Sequence, residues 1–596
     1  MGNQNPNLSG CVSGLRRRHA SSFLADCWSN LRTRILPTFA ASGITCSVMA
    51  QGVQHLTVTQ PGGLPGTPVL TGISLSTNRV ILTWDGPSGY YQVWHKGSLS
   101  DAQWQVEGGP TNLVRTANLP GASDSGFYKV SGPGPAYEGS ADCAACHVGW
   151  FTAVTATAHS QAFTNALFVQ QGGQTNSSCL SCHSVGHGLH TGFVNAAKTP
   201  QLAAVQCENC HGPGANHAAN PLDPTVIPQV ELAAQDCGGC HNSSFVPPAA
   251  AAEHPSLFED WNSSLHAVVP PDTLAVMSAS PGNIGACGRC HSGSARLALI
   301  SGQDPGVTLT NDFSVPVTCA VCHDPHSQHA WTNLLNGVIA FSNQLTGNVS
   351  FITNNELGPV YTNQLRCALN STNDFVLTTS DVFTNTYDSG VNICGQCHND
   401  RGSAWTDTAR APHESPQLNM LLGTVGELSG GASPGYPSTH SRLEKQCSAC
   451  HVQTGNGASG HTFEVASYQL CFNCHSDPAG LVQYVTNSIA IQIQQTVSYL
   501  DLWSTRAAAS STNSALSAMA RQYGSLAWEY TTPGSLSTGA AGPDAAGQAL
   551  IPNDIKMARF DLYLVLYDGS YGVHNGPYDI ELLQAAQNWI ESELYQ

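Results

Sequence analysis

The sequence predicts a multidomain chain: a small N-terminal β-sandwich, then a loop-rich, mainly α domain, closed by long C-terminal helices. Three observations carry this. Residues 51–132 hold β-rich runs broken by turn clusters. A five-residue motif recurs between residues 143 and 475. Beyond residue 480, apolar residues return at helical spacing.

Residues 1–50 read as a leader. Arg32 and Arg34 precede an apolar stretch from Ile35 to Met49, and Val48-Met49-Ala50 before Gln51 has the small-x-Ala form of a cleavage site. Next, Val80-Ile81-Leu82-Thr83-Trp84 and Tyr90-Tyr91-Gln92-Val93-Trp94 flank the turn cluster Asp85-Gly86-Pro87-Ser88-Gly89, and Phe127-Tyr128-Lys129-Val130 follows. This pattern over 51–132 resembles fibronectin type III or immunoglobulin-like modules, which implies a β-sandwich. Residues 133–142, opening on Pro133-Gly134-Pro135, are a linker.

The motif is Cys-x-x-Cys-His, nine times without exception. Its cysteines are Cys143 and Cys146, Cys179 and Cys182, Cys207 and Cys210, Cys237 and Cys240, Cys287 and Cys290, Cys319 and Cys322, Cys394 and Cys397, Cys447 and Cys450, and Cys471 and Cys474. They account for 18 of the 22 cysteines. The spacing is that of c-type haem attachment. Each thiol adds to one porphyrin vinyl group, and the histidine beneath the iron is the proximal ligand. The proximal set is His147, His183, His211, His241, His291, His323, His398, His451 and His475. A zinc ribbon does not require His after every second Cys. The expected cofactors are nine covalently bound haem c groups over a domain at 143–480. Large apolar macrocycles supply the core that a chain with 58 Gly and 34 Pro could not build from side chains alone. The longest gap between motifs holds a β-leaning segment at 331–390, read as an inserted hairpin.

Residues 481–596 carry no motif. Ile489 to Trp503, Ala515 to Trp528 and Ile580 to Leu594 have helical spacing, and these helices are expected to pack on the haem domain.

The sixth iron ligand decides function. A second histidine suits electron transfer, whereas an open position permits substrate chemistry. The candidate distal ligands are His159, His190, His217, His254, His266, His326, His413, His440, His461 and His574, with His187 and His329 as further histidines. Thr157-Ala158-His159 and Ser264-Leu265-His266 share a Ser/Thr-x-His element. Of His187 and His190, which flank the second motif, one is expected to ligate. His326, three residues after a proximal histidine, is expected to reach an adjacent haem.

These elements resemble tetrahaem cytochromes c of ammonia oxidation. Arg410-Ala411-Pro412-His413, Gly460-His461-Thr462-Phe463 and Gly572-Val573-His574-Asn575 resemble their wider superfamily, which includes pentahaem nitrite reductase and octahaem hydroxylamine oxidoreductase or tetrathionate reductase. The resemblance implies haems in close parallel and perpendicular pairs. It also implies distal roles for His159, His217, His266, His326, His413, His461 and His574. The lysine-ligated catalytic haem typical of the reductases is absent, since every motif ends in His.

Charged residues are only 10% of the chain and the formal charge is −18. Nucleic acid and anionic membrane surfaces are therefore poor partners. Haem c is attached outside the cytoplasm, so the chain is expected to be exported, to the periplasm or the cell surface, with no transmembrane span. The expected function is electron transfer along mostly bis-histidine haems. Redox partner proteins (other cytochromes or quinol-linked donors) follow, and surface or filament association is a further expectation. The alternative is a reductase or oxidase of small nitrogen or sulfur oxyanions with one open haem, for which Arg289, Arg401, Arg410, His187 and Tyr571 are candidate pocket groups, each Arg reading first as a haem propionate partner. Cys367, outside every motif, reads as a buried bystander.

Overall fold

The computed structural model describes residues 136–595 except 190, 224–226, 229–232, 244–253, 302, 304, 309–312, 327–337, 343–348, 354–361, 371–390, 429–434, 455–458 and 538–539. Before residue 136 it describes seven strands. These are β1 (Cys46–Val48), β2 (Val69–Ser76), β3 (Arg79–Asp85), β4 (Gln92–Lys96), β5 (Gln105–Val106), β6 (Thr116–Pro120) and β7 (Gly126–Ser131).

The strands form two antiparallel sheets, in the orders β1-β7-β4-β5 and β2-β3-β6. Val80, Leu82 and Trp84 alternate along β3 and are all buried, so one face of this central strand is a packing face. Strand β1 lies within the segment read as a leader and pairs with β7. Within the long gap between motifs, β8 (Val338–Ser342) pairs antiparallel with β9 (Val349–Thr353), as a hairpin insertion requires.

From residue 136 the chain becomes short helical turns joined by loops. Most motifs sit on one such turn. His147, His241, His323, His398 and His475 each donate a backbone N–H to the carbonyl of the first cysteine of their motif, at 2.8–2.9 Å. One closed turn gathers both thiols and the imidazole on one side, since positions three and four apart share a helix face. The apolar clusters here are small. One contains Val391, Leu418 and Leu422, and another Val269, Met277, Ile284 and Ala295.

The C-terminal part is built differently. Helices α1 (Pro478–Ala509), α2 (Ser514–Tyr523), α3 (Asn553–Asp568) and α4 (Gly576–Leu594) enclose the largest apolar cluster, which includes Ile489, Leu500, Trp528, Leu562, Leu583 and Ile590. Asp477 caps α1 by accepting the Gly480 N–H, and Pro478 occupies the first turn, where no donor is lost. Gly569 ends α3 at φ 73°, a left-handed C-cap that favours glycine.

Helix α3 is buried on nearly every side, and the sequence reading did not single it out. Arg559, Asp561 and Asp568 interrupt its apolar pattern although all three are buried. Arg559 donates to the carbonyls of Trp528 (2.7 Å) and Glu529 (2.8 Å) and to the Gln548 amide oxygen (2.9 Å), and lies 4.1 Å from the Tyr530 ring centroid.

The helical region grips the motif region through polar contacts. The Asn575 amide donates to the carbonyls of Met420 (3.0 Å) and Tyr436 (2.7 Å). The Tyr578 hydroxyl donates to the Val425 carbonyl at 2.9 Å, and the Gln417 amide to the Tyr567 carbonyl at 3.1 Å.

Candidate haem-binding sites

Numbering the motifs one to nine along the chain, each proximal histidine faces one histidine from elsewhere. The ring-centroid separations are 6.3 Å for His147–His217 (site one), 6.0 Å for His183–His254 (two), 5.8 Å for His211–His326 (three) and 6.0 Å for His241–His159 (four). They are 5.9 Å for His291–His413 (five), 6.4 Å for His323–His461 (six) and 6.2 Å for His398–His266 (seven). They are 6.3 Å for both His451–His574 (eight) and His475–His440 (nine). A metal between two opposed imidazoles, with bonds of about 2 Å and ring radii adding about 1 Å each, separates centroids by about 6 Å.

The ring nitrogens are oriented for this. An imidazole presents one nitrogen to a metal when the other is engaged in a hydrogen bond. The Nδ1 atoms of His183, His323, His440, His451 and His461 bond to the carbonyls of Ala162 (2.9 Å), Asn363 (2.7 Å), Val573 (2.9 Å), Phe463 (3.0 Å) and Ser459 (3.1 Å). His413 Nδ1 meets the Ser415 hydroxyl at 3.0 Å, and His398 Nδ1 the Gln417 amide oxygen at 3.3 Å. His574 Nδ1 meets a carboxylate, that of Asp568, at 2.7 Å.

Burial favours the neutral form of half of these eighteen imidazoles, the form that ligation requires. It lowers His241, His266 and His413 to about 4, and also lowers His159, His183, His217, His291, His323 and His451. His574 is the exception. Burial pulls it down, but the Asp568 carboxylate outweighs that and holds it above the ordinary imidazole value.

The donor set at each site is therefore two thiols outside any disulfide and two opposed imidazoles, which fits covalent haem c. A cavity of about 3210 Å³ is lined by both histidines of sites four, five, six, seven, eight and nine.

Neighbouring sites approach one another through their motif segments. The Ser140 hydroxyl donates to the Cys207 sulfur at 3.1 Å and accepts the Cys207 N–H at 3.0 Å, joining the segments of sites one and three. Cys210 and Cys240 interact between sites three and four. Thiol pairs Cys237–Cys319, Cys290–Cys397 and Cys394–Cys447 join four to six, five to seven and seven to eight. Cys322 interacts with Cys397 between six and seven, and Cys450 with Cys471 between eight and nine. Cys182 Sγ lies 3.9 Å from the Gly239 carbonyl, joining two to four.

Glu208, inside the third motif, organises the entry to the region. Its buried carboxylate accepts the N–H groups of Gly139 and Gly214, both at 2.7 Å. That ties the end of the linker to the turn leading into the helix Ala215–Ala219, which carries His217.

His190 and His329 lie outside the described residues. His187 has both ring nitrogens engaged, Nδ1 with the Phe193 carbonyl at 3.0 Å and Nε2 with the Ser177 hydroxyl at 3.2 Å, and His183 faces His254 instead. Cys367 is buried and receives a hydrogen bond from the Gln396 amide at 3.2 Å.

At the sites lie two residues whose roles the sequence did not assign. Asp568 is one. Phe463 is the other: its ring lies 4.5 Å from His266 and 5.9 Å from His461, and its carbonyl accepts from His451. It thereby touches ligands of sites six, seven and eight. It does so at φ 58°, a left-handed conformation uncommon for a bulky residue. The Asp568 contact is local, six residues along the chain, but it depends on the left-handed turn at Gly569, and the Phe463 contact with His266 is made across the fold.

Among known proteins, residues 142–212 match the family model "Cytochrome c554 and c-prime". The C-type polyheme cytochrome OmcB of Geobacter sulfurreducens is 24% identical over 330 residues, 51% of this chain and 36% of that protein. Cytochrome c-554 of Nitrosomonas europaea is 29% identical over 93 residues, 13% of this chain and 40% of its own length. The chain thus spans well under half the length of these curated relatives. Among solved structures, the outer cell wall cytochrome OcwA has a TM-score of 0.45 at 17% identity, covering 76% of this chain and 99% of its own. The undecaheme cytochrome from the S-layer of Carboxydothermus ferrireducens has a TM-score of 0.38 at 18% identity, covering 88% and 62%. No helix among the described residues is long and apolar enough to cross a membrane. Repetition of the attachment motif along the chain and likeness to polyhaem relatives lead to one class: this chain is a multihaem c-type cytochrome.

Proposed function

We propose that the chain is an exported electron carrier holding nine haem c groups, each fixed by two thioethers and two axial imidazoles. One observation carries this reading: all nine proximal histidines have a partner imidazole at 5.8–6.4 Å. Bound there, the haems supply one-electron iron couples with both axial positions filled, which favours electron transfer over substrate binding.

The contacts between motif segments set an order. Sites one, three, four, six, seven, eight and nine follow in a line, with site two beside four and site five beside seven. Such a line suits a conduit between two partners docked near sites one and nine, and the lateral sites add capacity. Cys146 of site one and Cys474 of site nine are the exposed motif cysteines, consistent with partner access at both ends. The N-terminal strands are assigned to a fibronectin III or immunoglobulin-like module that docks the carrier to a partner or surface assembly. Export follows from the periplasmic chemistry of haem c attachment.

Electron paramagnetic resonance of the oxidised holoprotein, with and without nitrite, hydroxylamine and carbon monoxide, tests the reading. Low-spin signals alone, unchanged by the added ligands, are expected. A high-spin haem that binds any of them in the intact protein overturns it.

A further inference from the structure

Site eight differs from the other sites in what stands behind its distal histidine: at site three Asp324 lies 3.6 Å from His326 Nδ1 and is shared with Arg366, a longer and partly neutralised contact. His574 donates Nδ1–H to the Asp568 carboxylate at 2.7 Å, where His183, His323, His440, His451 and His461 engage neutral carbonyls. The contact is built into the fold. Asp568 is the last residue of α3 and is buried, and the Gly569 left-handed cap turns the chain so that His574 returns to it six residues later. The second Asp568 oxygen accepts the hydroxyl of Ser570, and that hydroxyl in turn accepts the His574 backbone N–H at 3.1 Å. The carboxylate, hydroxyl and ring therefore form one fixed unit. Asp579, buried on α4 nearby, adds a second acidic group to the same locality.

A carboxylate behind a ligating imidazole makes the ring a stronger electron donor, and a donor ligand stabilises the oxidised metal. We infer that Asp568 is a positioning residue that lowers the reduction potential of site eight, making it take up its electron later than it would with a neutral partner behind His574. In the order proposed above, this places a low-potential step between site seven and the terminal site nine. Ser570 moderates it, because its hydroxyl withdraws charge from the same carboxylate.

The inference rests on the bis-histidine reading of site eight, and the test separates the two. Spectroelectrochemical titration of the fully haem-loaded protein is compared with Asp568→Asn and Ser570→Ala. In Asp568→Asn, one haem's share of the amplitude is expected to move to higher potential, with one set of low-spin resonances altered. In Ser570→Ala the same share is expected to move to lower potential. Opposite shifts exclude general loosening, which would move both variants alike. Unshifted titrations in both variants, with wild-type haem content, overturn the role of Asp568 and leave ligation untouched. If His574→Ala stays low-spin at every haem, the ligand assignment fails and the inference with it.

Discussion

The C-terminal helices carry no haem motif, yet they hold the distal sides of sites eight and nine, and Arg559→Met tests this. Arg559 lies at the middle of α3, and that helix leads directly into the 568–574 turn. This turn supplies His574 to site eight, and its Val573 carbonyl orients His440 at site nine. Methionine keeps much of the stem but leaves the Trp528 carbonyl and the Gln548 amide oxygen without the guanidinium, at about 1–3 kcal/mol each. The Glu529 carbonyl keeps its bond from the Gln548 amide at 2.8 Å, so it adds little. Loss of the guanidinium–Tyr530 contact costs about 1 kcal/mol more. Relief of the charge's desolvation works in the other direction, leaving a net loss of about 3 kcal/mol. With a guanidinium m-value of about 4 kcal/mol per molar, the helical transition moves down by roughly 0.5–1 M. Far-UV circular dichroism reads that transition, and carbon monoxide binding to the reduced protein counts opened haems. Two haems are expected to open with the helices while seven remain closed. An unchanged midpoint, or nine haems opening together, refutes the reasoning.

Three further outcomes follow from the geometry. Burial raises the Asp561 carboxyl well above its ordinary value, against the Glu427 N–H bond at 2.8 Å. The folded state therefore holds a proton that the unfolded chain releases. Its contribution is complete below the unfolded carboxylate range near 4 and is lost as pH rises through the folded value. Guanidinium midpoints of the helical transition should fall over that rise in the wild type and flatten in Asp561→Asn. At site two, His254→Ala should yield one high-spin haem by electron paramagnetic resonance, while His187→Ala should yield none; the reverse result would reassign the ligand. Phe463→Ala should alter the low-spin resonances of sites six, seven and eight together, and a change confined to one haem would show that its three contacts are incidental.

What the sequence showed depended on whether a signal was local. The attachment motif is a contiguous pattern whose chemistry fixes its spacing, so every candidate thioether and proximal position is named from the sequence alone. The helical periods of α1, α2 and α4 were legible for the same reason, each having a wet face and a dry face. Helix α3 is buried on nearly every side, and its buried Arg559, Asp561 and Asp568 break the apolar period that reading depends on. Distal assignments divide similarly. A Ser/Thr-x-His element could nominate His159 and His266, but which iron each serves is a property of chain return. His187 shows the converse: it sits four residues after a proximal histidine, yet its ring is engaged by Phe193 and Ser177.

Chain return is also what holds the haem region together. The paired histidines lie between 35 residues apart, for His440 and His475, and 138 apart, for His323 and His461. Closing such loops is entropically costly, and a contact of a few buried side chains does not offset that cost. Between residues 143 and 475 the apolar clusters are small, whereas the helical region has a continuous core. Coordination must therefore supply in the first region what packing supplies in the second. Where ligand binding creates the closed fold, binding free energy is folding free energy. This explains why the distal ligand of a site comes from a segment attached to another site: His217 follows motif three and faces His147 of site one, and His461 follows motif eight and faces His323 of site six. Each such crossing ties two macrocycles through one loop. In the proposed nine-haem carrier, the chain crossings that would bring haems near one another are thus the same ones that give a loop-rich chain its tertiary structure.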